Sequence, residues 1–204
     1  FVLEDKKRVF AFFGLSGSGK STLTHSKHNG KYKVKVLHDD AFIIDLLDGS
    51  SIALETAYFD KTQDYPADHP EQEYFLTAQN VGVTKDVDGK RVLVTEDIRN
   101  GNGRTVKSRY VTPDRVDKFH SAIEGIYWIM KDDALPPLVK IENPILAATC
   151  GATLATKRST AETARKGEDR DRLVIEPYAN PFRVYPLIED YEDFKALLSK
   201  EAVD

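Results

Sequence analysis

Gly14-Leu15-Ser16-Gly17-Ser18-Gly19-Lys20-Ser21 stands directly behind the apolar run Val9-Phe10-Ala11-Phe12-Phe13 and ahead of Thr22-Leu23-Thr24. The run has the length and β-rich composition of a buried strand, and residues 21–24 suit a first helical turn. Strand, glycine loop and helix start therefore fall in the order that a phosphate-binding loop requires. The glycines let backbone N–H groups curl around phosphate oxygens without a Cβ in the way. The helix N-terminus adds partial positive charge. Lys20 can reach β- and γ-phosphates, and the Ser21 hydroxyl can ligate a magnesium ion that those phosphates hold. A bland Gly/Ser loop would not need all four fixed positions of the motif. The expectation is a nucleoside triphosphate bound by Gly14, Leu15, Ser16, Gly17, Ser18, Gly19, Lys20, Ser21 and Thr22.

The remaining composition narrows the class. At 204 residues with a formal charge of −4, the chain fits one domain, residues 1–204, with a real core. It shows no basic stripe interleaved with aromatics, which argues against nucleic acid. The most basic stretch, Lys31-Tyr32-Lys33-Val34-Lys35-Val36, alternates like a strand with one wet face. The single cysteine, Cys150, excludes an internal disulfide, suits a reducing, cytoplasmic setting, and sits among small residues where packing is its expected role. Nothing reaches the length of apolar run that spans a bilayer. The chain starts at Phe1 and its only methionine is Met130, so it reads as a piece of something longer.

Further along, strands are expected at 34–37, 51–59, 104–112 and 123–130. A hairpin is expected around Asp88-Gly89, joining 81–84 to 91–95. Helices are expected at 144–155 and at 191–202, the latter with Phe194, Leu197 and Leu198 on one face. Residues 65–70, 100–103 and 158–172 read as turns or surface loops. The mix is α/β, with more strand than a simple alternating chain would have.

Asp39 and Asp40 end the strand expected at 34–37, where P-loop enzymes place the carboxylate that positions the metal. Adjacent residues on an extended strand face opposite ways, so strict alternation presents only one of them to the phosphates. A solvated turn is the alternative reading of such a pair. Arg109 could stabilise charge on a transferring phosphoryl group, although an arginine in a strand is usually a surface residue. Lys61 in Asp60-Lys61-Thr62 has the same standing. The five histidines show no paired metal-ligand spacing, and His38 is the one near the expected metal.

Together these pieces resemble the nucleotide-binding domain of ATP-dependent phosphoenolpyruvate carboxykinases. That family's Phe-Phe-Gly-Leu-Ser-Gly-Thr-Gly-Lys-Thr-Thr-Leu matches residues 12–23 with only Thr-to-Ser changes. Its Gly-Asp-Asp-Glu-His resembles His38-Asp39-Asp40-Ala41-Phe42, which makes Asp40 the metal-associated aspartate. Its Glu-x-x-x-x-x-Lys-Thr fits Glu55 through Lys61-Thr62, and its Arg-Val-Ser-Tyr-Pro resembles Arg109-Tyr110-Val111-Thr112-Pro113. A histidine 15 residues before Leu-Pro-Pro recurs as His120 and Leu135-Pro136-Pro137.

The resemblance implies a P-loop domain with a mixed, strand-rich sheet. It implies ATP with Mg2+ or Mn2+ as cofactors, and Lys20, Lys61 and Arg109 as the catalytic set. Ser21, Asp40 and Asp39 would serve the metal. Oxaloacetate and phosphoenolpyruvate would be the partners of the full-length, gluconeogenic enzyme. The chain departs from the pattern at Ala41-Phe42, where the family has Glu-His, and at His69-Pro70, where it has Glu-Pro. The family's adenine-contacting Asn-Thr-Gly has no counterpart here. Its oxaloacetate-binding residues lie upstream of the strand at 9–13, so the 204 residues alone are expected to be inactive. The choice between ATP and GTP stays open. An adenylylsulfate-kinase-like enzyme and a non-catalytic nucleotide sensor are the competing readings, the first disfavoured by the strands expected between 51 and 112.

Overall fold

The computed structural model describes residues 2–3, 6–26, 28–55, 58–61, 82–93, 104–107, 113–130, 132–157 and 172–200, with backbone alone at 2–3, 6, 25, 28, 58–61, 93 and 104–107. A short antiparallel ladder of β1 (Val2–Leu3) and β2 (Lys6–Lys7) leads into β3 (Phe10–Phe13), the strand read from residues 9–13. β3 pairs in parallel with β11 (Gly125–Trp128), Phe10 opposite Gly125 and Phe13 opposite Trp128. The Glu124 N–H donates to the Val9 carbonyl at one end (2.9 Å), and the Ile129 N–H to the Phe13 carbonyl at the other (2.7 Å). Gly125 lets the Phe10 ring pack close, since a Cβ there would stand 3.1 Å from it and the ring would have to yield. Tyr127 stacks on Phe12 at 4.8 Å and meets Phe10 edge-on at 5.6 Å. Arg8 and Glu124 pair at 2.5 Å in an exposed position, and Glu124 also accepts from the Val9 N–H. The ion pair adds little energy, but the two contacts fix the register.

Helix α1 (Lys20–His25) follows the glycine loop. Strands β4 (Phe42–Ile44), β5 (Ser51–Ala53) and β10 (Lys118–Phe119) form a three-stranded antiparallel sheet with β5 in the middle. The turn between β4 and β5 is built by aspartates. Asp45 Oδ1 accepts from the Leu47 N–H and Asp48 Oδ1 from the Ser50 N–H, both at 2.8 Å. Strand β6 (Tyr58–Lys61) pairs antiparallel with β9 (Arg104–Lys107), and β7 (Val83–Lys85) with β8 (Arg91–Leu93). The second pair is the hairpin expected around Asp88-Gly89. Asp86 Oδ1 accepts the Asp88 and Lys90 N–H groups there, and Gly89 takes φ 76°. Helix α2 (Pro144–Ala152), the antiparallel pair β12 (Ala155–Lys157) and β13 (Leu173–Ile175), and helix α3 (Leu187–Leu198) complete a mixed α/β fold with six small sheets among the described residues. No helix among the described residues is long and apolar enough to cross a membrane.

The core gathers around aromatic rings. The Phe13 ring meets Phe42 at 5.5 Å, Trp128 at 5.2 Å and Phe194 at 5.4 Å. Phe194 stacks in turn on Tyr178 at 4.6 Å, with the planes 5° apart. Such pairs add about 0.5–1.5 kcal/mol each beyond simple burial. Helix α2 supplies the small surface that the rings need, with Ala147, Ala148 and Gly151 buried. A Cβ on Gly151 would lie 2.7 Å from the Tyr178 ring and 2.9 Å from Trp128. Asn143 caps α2 by accepting from the Ile145 and Leu146 N–H groups, with Pro144 in the first turn. Tyr178 is 3% exposed and donates its hydroxyl to the Ala148 carbonyl at 2.9 Å. It does so from φ 55°, a left-handed conformation that costs a non-glycine residue about 1 kcal/mol or more.

Several expectations shift. The helix expected at 144–155 ends at Ala152, and Ala155 opens β12. Residues 34–37 belong to no sheet among the described residues. They run extended, tied down by Lys35 to Asp114 (2.5 Å) and by the Val116 N–H on the Leu37 carbonyl (3.1 Å). The stretch expected at 51–59 divides into β5 and β6. The closing helix begins at Leu187, four residues before the expected start, because Pro186 ends the preceding loop and Glu189 and Asp190 place acid in the first turn. The loops read at 65–70 and 100–103, and nearly all of 158–172, lie outside the described residues.

Two outcomes follow for the aromatic core. Gly151→Ala should cost about 1–3 kcal/mol through overpacking, measured by urea denaturation. Burial first, and then Asp190 and Tyr191, push the Tyr178 phenol up to about 12 from 10. The folded state thus holds the phenol proton more tightly than the unfolded chain. Its stabilising share is complete below pH 10 and is lost as pH rises toward 12. Tyr178→Phe should cost about 1 kcal/mol near neutral pH and show a shallower loss of stability between pH 10 and 12. A steeper alkaline loss in the variant would contradict this.

Candidate functional site

The glycine loop leaves the end of β3 and closes on itself before α1. The Ser18 N–H donates to the Leu15 carbonyl at 3.0 Å, and Gly17 and Gly19 take φ 81° and 100°. Both values lie in the left-handed region that glycine enters without a steric penalty. Gly14 is excluded from any side chain for another reason. Its Cβ would lie 2.5 Å from Ser18 Oγ and 2.8 Å from the Ile129 carbonyl. The first helical bond of α1 runs from the Leu23 N–H to the Gly19 carbonyl at 3.0 Å. The N–H groups of Lys20, Ser21 and Thr22 therefore precede any intrahelical acceptor. Ser16, Ser21 and Thr22 are exposed and Lys20 is half-buried, whereas Leu15 is turned into the core at 8% exposure. Leu15 can offer a ligand only backbone. The Ser18 hydroxyl is buried and has no hydrogen-bond partner among the described residues.

Asp39 and Asp40 lie where the extended segment 33–38 turns toward β4. Ala41 takes φ 54° and its carbonyl accepts from the Leu54 N–H at 3.0 Å, so the chain leaves strand geometry between the aspartates and β4. Both aspartates border the two large cavities that flank Lys20, where strict alternation would have presented only one of them. One cavity, about 680 Å³, runs along β3 and α1 past Lys7, Arg8, Lys33 and Lys35. The other, about 690 Å³, runs behind the glycine loop toward Tyr178, Phe182, Tyr185 and Asp190. Phe12, Ser16, Lys20, Asp39, Asp40 and Phe42 line both, so the residues with phosphate and metal chemistry form a shared wall.

A layer of side chains joined by long-range contacts stands behind that wall. Glu55 has one carboxylate oxygen buried with no partner. Burial, and then Asp40 and Asp39, raise its carboxyl above the usual range. Arg115, with its side chain 3% exposed, pairs with Asp117 at 2.6 Å and donates to the Glu55 carbonyl. His38 contacts the Val116 carbonyl through Nδ1 (3.1 Å) and Ser51 Oγ through Nε2 (2.9 Å). Burial holds its pKa below the ordinary value, backbone hydrogen bonds oppose that shift, and Arg115 adds to it. A neutral imidazole donating from Nδ1 and accepting at Nε2 satisfies both contacts. His38 thus anchors the carboxylate segment to β5. The sequence signals for this layer were the adjacency of His38 to Asp39 and the position of Glu55 at the head of the match that runs to Lys61-Thr62.

Among the described residues no three His, Cys, Asp or Glu side chains converge tightly enough to hold a metal ion by themselves. Exposed Ser21 with Asp39 and Asp40 is instead the sparse oxygen set that suits Mg2+ or Mn2+ shared with phosphates and water. Lys61 ends β6 opposite Arg104, and its side chain lies outside the described residues, as does the whole of Arg109. His120 is exposed, and Leu135 is 47% exposed at the start of Leu-Pro-Pro.

Two loop variants should separate shape from polarity. Gly14→Ala is expected to distort the loop and lower the thermal unfolding midpoint. Ser18→Ala removes a buried hydroxyl with no partner, so it should leave thermal stability unchanged or raise it by about 1 kcal/mol. A clear loss of stability in Ser18→Ala would show that the hydroxyl is satisfied.

Compared with known proteins, the chain matches no family model and no curated protein sequence.

Proposed function

We propose that this chain is the nucleotide-binding, phosphoryl-transferring part of an ATP-dependent phosphoenolpyruvate carboxykinase. The observation that carries the reading is the shared wall. Lys20 and the amides of the glycine loop border the same space as Asp39 and Asp40, in the order that the family's motifs prescribe. In the whole reaction oxaloacetate loses carbon dioxide to leave an enolate. The enolate oxygen forms a bond to the γ-phosphorus of ATP while the bond from that phosphorus to the β–γ bridging oxygen breaks. The products are phosphoenolpyruvate and ADP.

This chain's part is positioning and charge neutralisation, which is most of what phosphoryl transfer asks of a protein. The loop amides and Lys20 cradle the phosphates, and Lys61 and Arg109 serve the γ-phosphate. Ser21, Asp40 and Asp39 would hold Mg2+ or Mn2+, which supplies charge stabilisation for the transferring group. The cations lining the cavity along β3 favour an anionic acceptor. Lys7 and Lys33 are exposed there, Arg8 already pairs with Glu124, and Lys35 with Asp114.

One observation favours a non-catalytic nucleotide sensor as the second reading. In place of the family's histidine, Phe42 puts its ring against Phe13 at 5.5 Å and His38 at 5.8 Å. An apolar contact thus stands where the family has a polar group.

Titration with Mg-ATP tests the reading. The wild-type chain should bind, and Lys20→Ala should weaken binding by about tenfold or more through loss of one charge-assisted contact. Asp40→Asn should remove most of the gain in affinity that Mn2+ confers. Unchanged ATP affinity in Lys20→Ala would overturn the assignment. Turnover of oxaloacetate by the 204 residues alone would overturn the division of labour.

A further inference from the structure

The cavity along β3 is bounded by two unbroken runs of chain, residues 7–12 on one side and residues 33–38 on the other. Successive side chains of an extended chain point opposite ways. A wall made of consecutive residues therefore presents main chain as well as side chains. On the first side β3 lies in a two-stranded sheet with β11, so one of its edges has no ladder among the described residues. On the second side residues 34–37 belong to no sheet among the described residues, yet exposure alternates along the segment as in a half-buried strand. Lys33 and Lys35 are exposed, and Val34 and Val36 are partly buried. Two extended edges thus flank a cavity of about 680 Å³. Edges without a ladder are where chains accept a further strand.

The charge of the two walls says what kind of strand. Their rim is basic, in a chain whose net charge is −4. Arg8 pairs with Glu124, and Lys35 with Asp114. Lys7 and Lys33, one on each wall, are exposed and have no acidic partner among the described residues. Phe10, Phe12, Val34 and Val36 give the same space an apolar lining. A second copy of this chain would bring the same lysines and be repelled. We propose that an extended acidic segment of a partner protein, with carboxylate and apolar side chains in alternation, inserts between β3 and residues 33–37 as an added strand. Its main chain bonds to both edges, its carboxylates sit at Lys7 and Lys33, and its apolar side chains cover the lining between them. About five residues suffice, because walls of this length run roughly 20 Å at a rise of about 3.3 Å per residue. The same two lysines attract an anionic acceptor, so the inserted strand and the acceptor exclude each other there. Insertion needs no bound nucleotide and stands independently of the phosphate-binding reading of the glycine loop.

Fluorescence anisotropy of the full chain with the labelled peptide acetyl-Glu-Val-Glu-Val-Glu-amide tests the inference. This peptide should bind, and its counterpart with Lys in place of Glu should not. Methylating both valine nitrogens keeps every charge but removes two main-chain donors, and should weaken binding about tenfold or more. Lys33→Glu, at an exposed position, should weaken the acidic peptide by about the same factor and create affinity for the lysine peptide. Hydrogen exchange at 34–36 and 11–12 should slow when the acidic peptide is added. No binding of that peptide, equal binding of its N-methylated form, or binding that leaves exchange at 34–36 unchanged would each overturn strand insertion. Anionic vesicles or single-stranded DNA that bind in place of the peptide, and lose their hold in Lys33→Glu, would overturn the protein partner in favour of another polyanion. With no nucleotide present, failure here leaves the loop's assignment to its own titration with Mg-ATP.

Discussion

Phe13 holds the molecule to a single arrangement. It is the last residue of β3 and the immediate predecessor of the glycine loop, and its ring touches β11 through Trp128, β4 through Phe42 and α3 through Phe194. Those three contacts set where the loop begins, where the segment carrying Asp39 and Asp40 ends, and where the far wall of the rear cavity stands. Buried rings are good positioning devices because interiors pack like crystals and transmit displacement. Any shift of Phe13 would move the glycine-loop backbone and the carboxylates together.

Around that contact the charge is arranged with care. A largely buried guanidinium, Arg115, would be expensive unless its hydrogen bonds were made. Asp117 and the Glu55 carbonyl take its terminal donors, and its buried Nε has no partner among the described residues. Glu55, raised by burial and by the two aspartates, and His38, lowered by burial, both resist carrying charge behind the wall. Asp39, Asp40 and Lys20 stand on the cavity side of that layer.

Motif reading located the glycine loop because glycine at positions 17 and 19 is dictated by backbone conformation, a local property. It located the β7–β8 hairpin for the same reason at Gly89, and α2 from its run of small residues. It misjudged 34–37, where alternation of lysine and valine is satisfied by an extended segment clamped by side chains as well as by a ladder. His38 and Glu55 each drew notice in the sequence, but the contacts that join them to the segment around Arg115 did not, because those bonds join residues 60 and 78 positions apart. No spacing rule encodes such approaches. Tyr178 was equally hidden, since a non-glycine residue at φ 55° is tolerated only when tertiary packing outweighs the local preference.

The clamp between Arg8 and Glu124 spans 116 residues, and the parallel ladder it borders joins the beginning of the chain to its middle. A pairing so distant in sequence demands that a long loop be closed before any of its bonds is gained. During synthesis β3 must therefore wait, apolar and without its partner strand, until β11 has emerged. Until then the glycine loop has no fixed platform and no defined geometry. The loop's geometry thus forms late, only once that long-range pairing is made.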